Sequence, residues 1–204
     1  MSQKITPPKH KRNTDLQSRG CLGIVISFER LFFGGIVLFI VGAFVVLAFN
    51  AWQNRIVSID GLSRRVGLLR SHEDNVGYET GELPPMGGVH NQVWQNCGVY
   101  ETPIRNDLAV HSLEHGAVWI TYHPELPLEQ VEKLREITRG GSHRLLSPFP
   151  GLASPVVVTA WGYQVELKNA DDSRLIDFIN NYEQGTGSPE PGALCSGGIG
   201  EPLN

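Results

Sequence analysis

His90, Cys97, His111, Glu114 and His115 fall within 26 consecutive positions. His111 and His115 are four residues apart, so on a helix both imidazoles project to one side, with Cβ atoms about 6 Å apart. Two imidazoles at that spacing can share one metal ion. His90 follows Gly87-Gly88, and a glycine turn lets a loop approach a helix face closely. The expected site therefore uses His90, His111 and His115 as ligands, with sulfur from Met86 or Cys97 completing the set. Imidazole plus sulfur suits copper, and then zinc, whereas hard cations require several carboxylates. Glu114 sits about 100° round the helix from His115, which places it behind the ligands as a supporting group.

His111-Ser-Leu-Glu114-His115 also spells H-x-x-E-H, the inverted zinc-peptidase motif. That chemistry needs a long active-site helix and a further carboxylate from another helix. Here Gly116 and an apolar, β-branched run follow at once. Zinc-dependent hydrolysis stays an alternative to metal binding without catalysis. A second alternative is a non-catalytic accessory module of a membrane complex, in which the histidines pack or contact a partner. His72, His123 and His143 stand alone near expected loops and read as exposed. Trp94, Trp119 and Trp161 read as core or groove-lining residues.

Cysteine placement adds a constraint. Cys21 precedes the apolar segment described below, while Cys97 and Cys195 follow it. In an oxidising compartment two thiols most simply form a disulfide, here tethering the C-terminal tail to the histidine block. A Cys97–Cys195 bond would remove Cys97 from the donor set and leave the histidines with Met86.

The elements that must position these residues begin with a membrane segment. Leu31–Phe49 contains no charged or strongly polar side chain. At 1.5 Å per residue it spans about 28 Å, close to the hydrocarbon thickness of a bilayer. Ala48-Phe49-Asn50-Ala51 is a poor cleavage site, so the segment reads as an uncleaved anchor. Residues 1–30 carry six Lys or Arg against two acidic residues, a net of +4, and the whole chain is −4, leaving −8 for residues 31–204. The basic flank predicts a cytoplasmic N-terminus and an extracytoplasmic C-terminal domain. The acidic remainder excludes a nucleic-acid partner, because phosphate neutralisation needs clustered cations.

Four regions follow: a basic cytoplasmic tail at 1–30, a transmembrane helix at 31–50, a stalk or linker at 51–76, and an extracytoplasmic domain at 77–204 with a Gly/Pro-rich tail. Asn106 or Asp107 is placed to cap a helix over 108–115, with Gly116 just past its end. Ala117–Tyr122 reads as a strand. Pro127 opens a helix to about Thr138, its acids early and its bases late as the helix dipole favours. Arg144–Leu146, Pro155–Trp161 and Tyr163–Leu167 read as strands, the last two turned at Gly162. Asp171–Tyr182 has apolar residues at helical spacing. This order predicts an α+β domain with a small mixed or antiparallel sheet and helices on one face.

Trp94-Gln-Asn-Cys97-Gly98-Val-Tyr100, then Val110-His111-Ser-Leu-Glu114-His115-Gly116-Ala-Val-Trp-Ile-Thr-Tyr122, resembles a bacterial membrane-anchored family known as domain of unknown function 3105. Pro84-Pro85…His90 and Val157-Val-Thr-Ala-Trp161-Gly162 are similar to it as well. The resemblance covers about Gly77 to Cys195. It implies a single N-terminal anchor and no particular reaction.

Overall fold

The computed structural model describes residues 28–53, 58–74, 76–78, 81–185 and 187–203. Most of the basic tail, with Cys21, lies outside the described residues. The chain divides into two compact units, residues 1–55 and 56–204.

The first unit contains one helix, α1 (Phe28–Gln53). Within it, Phe32–Phe49 is long and apolar enough to cross a membrane, and none of that stretch is buried by protein. Phe, Leu, Ile and Val point outward on every side. A helix that is apolar all round and uncovered has no aqueous face to offer, which is the pattern of a membrane span.

The second unit is built on a six-stranded mixed sheet. Its strands are β1 (Ser63–Arg64), β2 (Gly98–Val99), β3 (Val118–Tyr122), β4 (Arg144–Pro148), β5 (Val156–Ala160) and β6 (Tyr163–Leu167). Their spatial order is β1-β6-β5-β3-β4-β2. The helices are α2 (Asn106–Glu114), α3 (Leu128–Arg139) and α4 (Arg174–Tyr182). β3 and β4 are parallel, joined by α3, whereas β5 pairs antiparallel with both β3 and β6. The β5–β6 hairpin turns through Gly162 at φ +77°, a conformation that costs glycine little.

Side chains alternate across the sheet, so each strand feeds two cores. One face carries Val118, Ile120, Leu146, Val156, Val158, Val165 and Leu167 against Val131 and Leu134 of α3 and Leu175, Phe178 and Ile179 of α4. The other carries Trp119 and Leu145 against Ala109, Val110 and Leu113 of α2. Every residue of β3 and β5 is buried. That double cover explains their continuous apolar runs.

The expected α+β class, the mixed sheet and the preceding apolar helix are all present. In finer detail, α3 and α4 share one face and α2 covers the other. α2 begins two residues earlier than the polar residues suggest. Arg105 occupies the cap position, with no side-chain capping bond. The Asp107 carboxylate is engaged by Asn91 and Arg105 instead. Gly116 follows the helix at φ +92°, as its position after His115 predicts. Ser63–Arg64, in the segment read as linker, pairs with Tyr163 and Gln164 as an edge strand. Two exposed polar residues carry no periodic signal that sequence reasoning can detect.

Candidate metal centre

α2 supplies the first part of the site. His111 and Glu114 are three residues apart and therefore share a helix face. The loop before α2 is locked to it through Asn91. The Asn91 side-chain amide donates to Asp107 Oδ2 (3.2 Å), its backbone N–H donates to Asp107 O (3.3 Å), and its Oδ1 accepts from Val93 N (3.0 Å). Asn91 O is thereby fixed to accept from His111 Nδ1 at 2.6 Å.

His90 arrives on that same loop. Gly87 and Gly88 precede it at φ +137° and +120°. A Cβ at Gly87 would lie 2.9 Å from Leu68 and 3.1 Å from the Trp161 ring, so only glycine permits this approach. The turn brings Gly88 O to His90 Nδ1 at 2.7 Å. A second loop runs alongside, with His90 N donating to Ser71 O (3.1 Å) and Glu73 N donating to His90 O (2.8 Å). This pairing sets His72 beside His90, their ring centroids 4.6 Å apart.

Three segments thus converge. Among the described residues, one ligand atom each from His72, His90, His111 and Glu114 lie within 4.8 Å of one another. His90 Nε2 is 2.8 Å from Glu114 Oε2, and His72 Nε2 is 3.3 Å from the same oxygen. His90, His111 and Glu114 are buried, while the His72 side chain is 38% exposed and marks the solvent side.

Protonation follows from the partners. A carbonyl oxygen only accepts, so the Nδ1 atoms of His90 and His111 carry hydrogen, and neutral rings turn their Nε2 lone pairs inward. Facing a carboxylate at 2.8 Å, His90 Nε2 calls for a proton shared between the two atoms or a cation that both of them bind. Burial pushes His111 down to about 4. The hydrogen bond to Asn91 opposes that shift, and the imidazoles of His115, His90 and His72 reinforce it. His111 is therefore a neutral donor at neutral pH. Three imidazole nitrogens and one carboxylate oxygen make a four-donor set of the kind that holds zinc or divalent copper.

His115 takes another direction. It caps α2, donates from Nδ1 to Leu194 O at 2.7 Å, and holds Nε2 3.7 Å from Glu190 Oε2. Its ring packs 4.7 Å from that of His111, and the Trp94 ring lies against both. Met86 is buried, its carbonyl accepting from Gly162 N at 2.7 Å. Cys97 and Cys195 form a disulfide, and Cys97 N donates to Cys195 O at 2.8 Å. The bond removes the Cys97 thiol as a donor.

The offset from His115 puts Glu114 behind the expected ligands, but its offset from His111 brings its carboxylate into the group. His72 is not isolated, because loop pairing seats it beside His90, and nothing around it in sequence signals this. His143 is not exposed either: it is buried, with Nε2 2.8 Å from Ala193 O. α2 ends at Glu114 after nine residues.

The fold and the cluster define an α+β domain with a buried His/Glu group, preceded by a helix able to cross a membrane. The chain belongs to the family described as Protein of unknown function (DUF3105), matched over residues 70–197. That span includes the four clustered residues and both cysteines of the disulfide. No similar curated protein and no similar solved structure was found.

Proposed function

We propose that this protein is a membrane-anchored metal-binding domain that holds zinc or divalent copper through His72, His90, His111 and Glu114. It lies on the far side of the membrane from its basic N-terminal tail. The observation that carries the reading is the convergence of four donor atoms within 4.8 Å from three chain segments. The carbonyl partners of His90 and His111 add support, since metal-binding imidazoles are usually oriented by such hydrogen bonds. With Cys97 committed to a disulfide, the preference for copper that rested on sulfur weakens, and zinc stands level with it. Four protein donors leave no open position of the kind a catalytic zinc keeps, which favours holding or delivering the metal, or supporting a membrane redox complex, over hydrolysis. The orientation rests on the basic excess of residues 1–30 and on a disulfide compatible with an oxidising compartment.

The test is metal content by mass spectrometry on the full chain in detergent, offered zinc and copper and then dialysed, beside His90→Ala/His111→Ala. Near one equivalent, lost in the double variant, is expected. No bound metal in the folded wild-type chain would overturn the reading. A reporter fused after Asn204 tests topology, and activity only in the cytoplasm would overturn the orientation.

A further inference from the structure

The loop after β1 combines features that neither the metal cluster nor the core uses. Residues 61–72 hold Arg64, Arg65 and Arg70 and no acidic residue. The unit they belong to, residues 56–204, carries ten Lys and Arg against nineteen Asp and Glu. All three arginines are exposed. Among the described residues, none has a carboxylate partner within 4.0 Å. They share a concavity of about 220 Å³ whose walls include Trp161 and Tyr163, and Arg64 lies over the Tyr163 ring at 5.6 Å.

The loop is held in place at its base. Arg65 N donates to Gly162 O at 2.9 Å, and Leu68 packs into the α2-side core. Gly67, at φ +72°, turns the chain between them. Val66 and Leu69 are left outward at 75% and 65% exposure. A held loop presenting two apolar side chains among three guanidinium groups that meet no carboxylate among the described residues is amphipathic in the manner of a membrane-surface contact. The apolar groups suit the acyl boundary, and guanidinium forks match phosphate oxygens. Arg64 is eleven residues beyond Gln53, the end of α1. Fully extended, that tether reaches at most about 40 Å.

We propose that Arg64, Arg65 and Arg70, with Val66 and Leu69, form a docking surface for anionic phospholipid headgroups. His72, the exposed member of the metal cluster, is two residues beyond Arg70, so docking would turn the open side of that cluster toward the lipid surface. The proposal itself does not depend on bound metal.

The test is hydrogen–deuterium exchange of residues 65–70 in the full chain in lipid nanodiscs. One set of discs contains only phosphatidylcholine, and the other adds phosphatidylglycerol. Exchange about tenfold slower in the anionic discs is expected, since each arginine near such a surface contributes several-fold. High salt should remove the difference by screening. Equal exchange in both discs overturns the proposal, and leaves an acidic protein as the next occupant to try. Equal slowing by inorganic phosphate in phosphatidylcholine discs assigns the pocket to soluble phosphate and also overturns it. Arg64→Gln/Arg65→Gln/Arg70→Gln should abolish the lipid difference, with unchanged exchange at Val118–Tyr122 reporting an intact sheet. The wild-type comparison stands whether or not that variant folds.

Discussion

The two faces of the sheet bury material of opposite character. The face under α3 and α4 is filled by aliphatic and aromatic side chains, with Leu134, Val156, Val158, Leu175 and Phe178 fully enclosed. The α2 face buries Trp119, Leu113 and Leu145, but its helix also carries Asp107, His111 and Glu114 inward, against His90 and Asn91 from the loop. Apolar burial stabilises at about 25 cal/mol per Å² without regard to exact partners. A buried carboxylate or imidazole is tolerated only when each polar atom has one. One face therefore supplies stability and the other supplies a site, and the second depends on specific hydrogen bonds in a way the first does not.

Mutations should separate the faces. Phe178→Ala removes a fully buried ring and should cost about 3–5 kcal/mol by denaturant unfolding, while metal stoichiometry in the folded fraction stays unchanged. A large loss of metal in that fraction would mean that the two faces are coupled. Opening the disulfide with Cys97→Ser/Cys195→Ser should cost about 2–5 kcal/mol, since it closes a separation of 98 residues, and should act on the α2 side where both cysteines sit. On the same side, chelation should lower stability by up to about 4 kcal/mol when metal had been a thousandfold above its Kd. Calorimetry with and without chelator checks this, and the effect should vanish in His90→Ala/His111→Ala.

Smaller effects probe the supports. Asp107→Asn keeps the shape of the side chain while weakening the clamp on Asn91, whose carbonyl orients His111. Metal affinity should fall about 10–100-fold, with little change in fold by circular dichroism. The weakest effect is expected at Asp172, outside both cores. Hydrogen bonds from the Arg174 guanidinium hold its carboxyl below the ordinary value. A depressed carboxyl stabilises the fold above its unfolded pKa, about 4, and loses that contribution as pH falls through the folded value. Asp172→Asn should cost about 0.2–1 kcal/mol at pH 7 and progressively less as pH falls through the folded value.

Much of the scaffold was legible because its signals are local. β3 and β5 announced themselves as apolar β-branched runs, α3 by its proline start and charge order, and the end of α2 by Gly116. The span Phe32–Phe49 needed only hydropathy and length. The pairing of Cys97 with Cys195 followed from having two cysteines beyond the anchor. β1 and β2 were not legible, because two-residue strands exist only through their neighbours β6 and β4.

The site divides along the same line. Sequence alone determined that His111, Glu114 and His115 lie on one short helix with the two imidazoles on a common side, that a glycine pair precedes His90, and that an apolar segment stands before the domain. These depend on 3.6-residue periodicity, backbone freedom and composition, all properties of adjacent residues. Only the tertiary structure decided that His72 and Glu114 join the group while His115 turns toward Leu194. His72 and Glu114 are 42 positions apart in the chain. They meet because the loop hydrogen bonds between Ser71, Glu73 and His90 and the clamp of Asn91 on α2 bring three segments to one point, and no short-range pattern encodes that convergence.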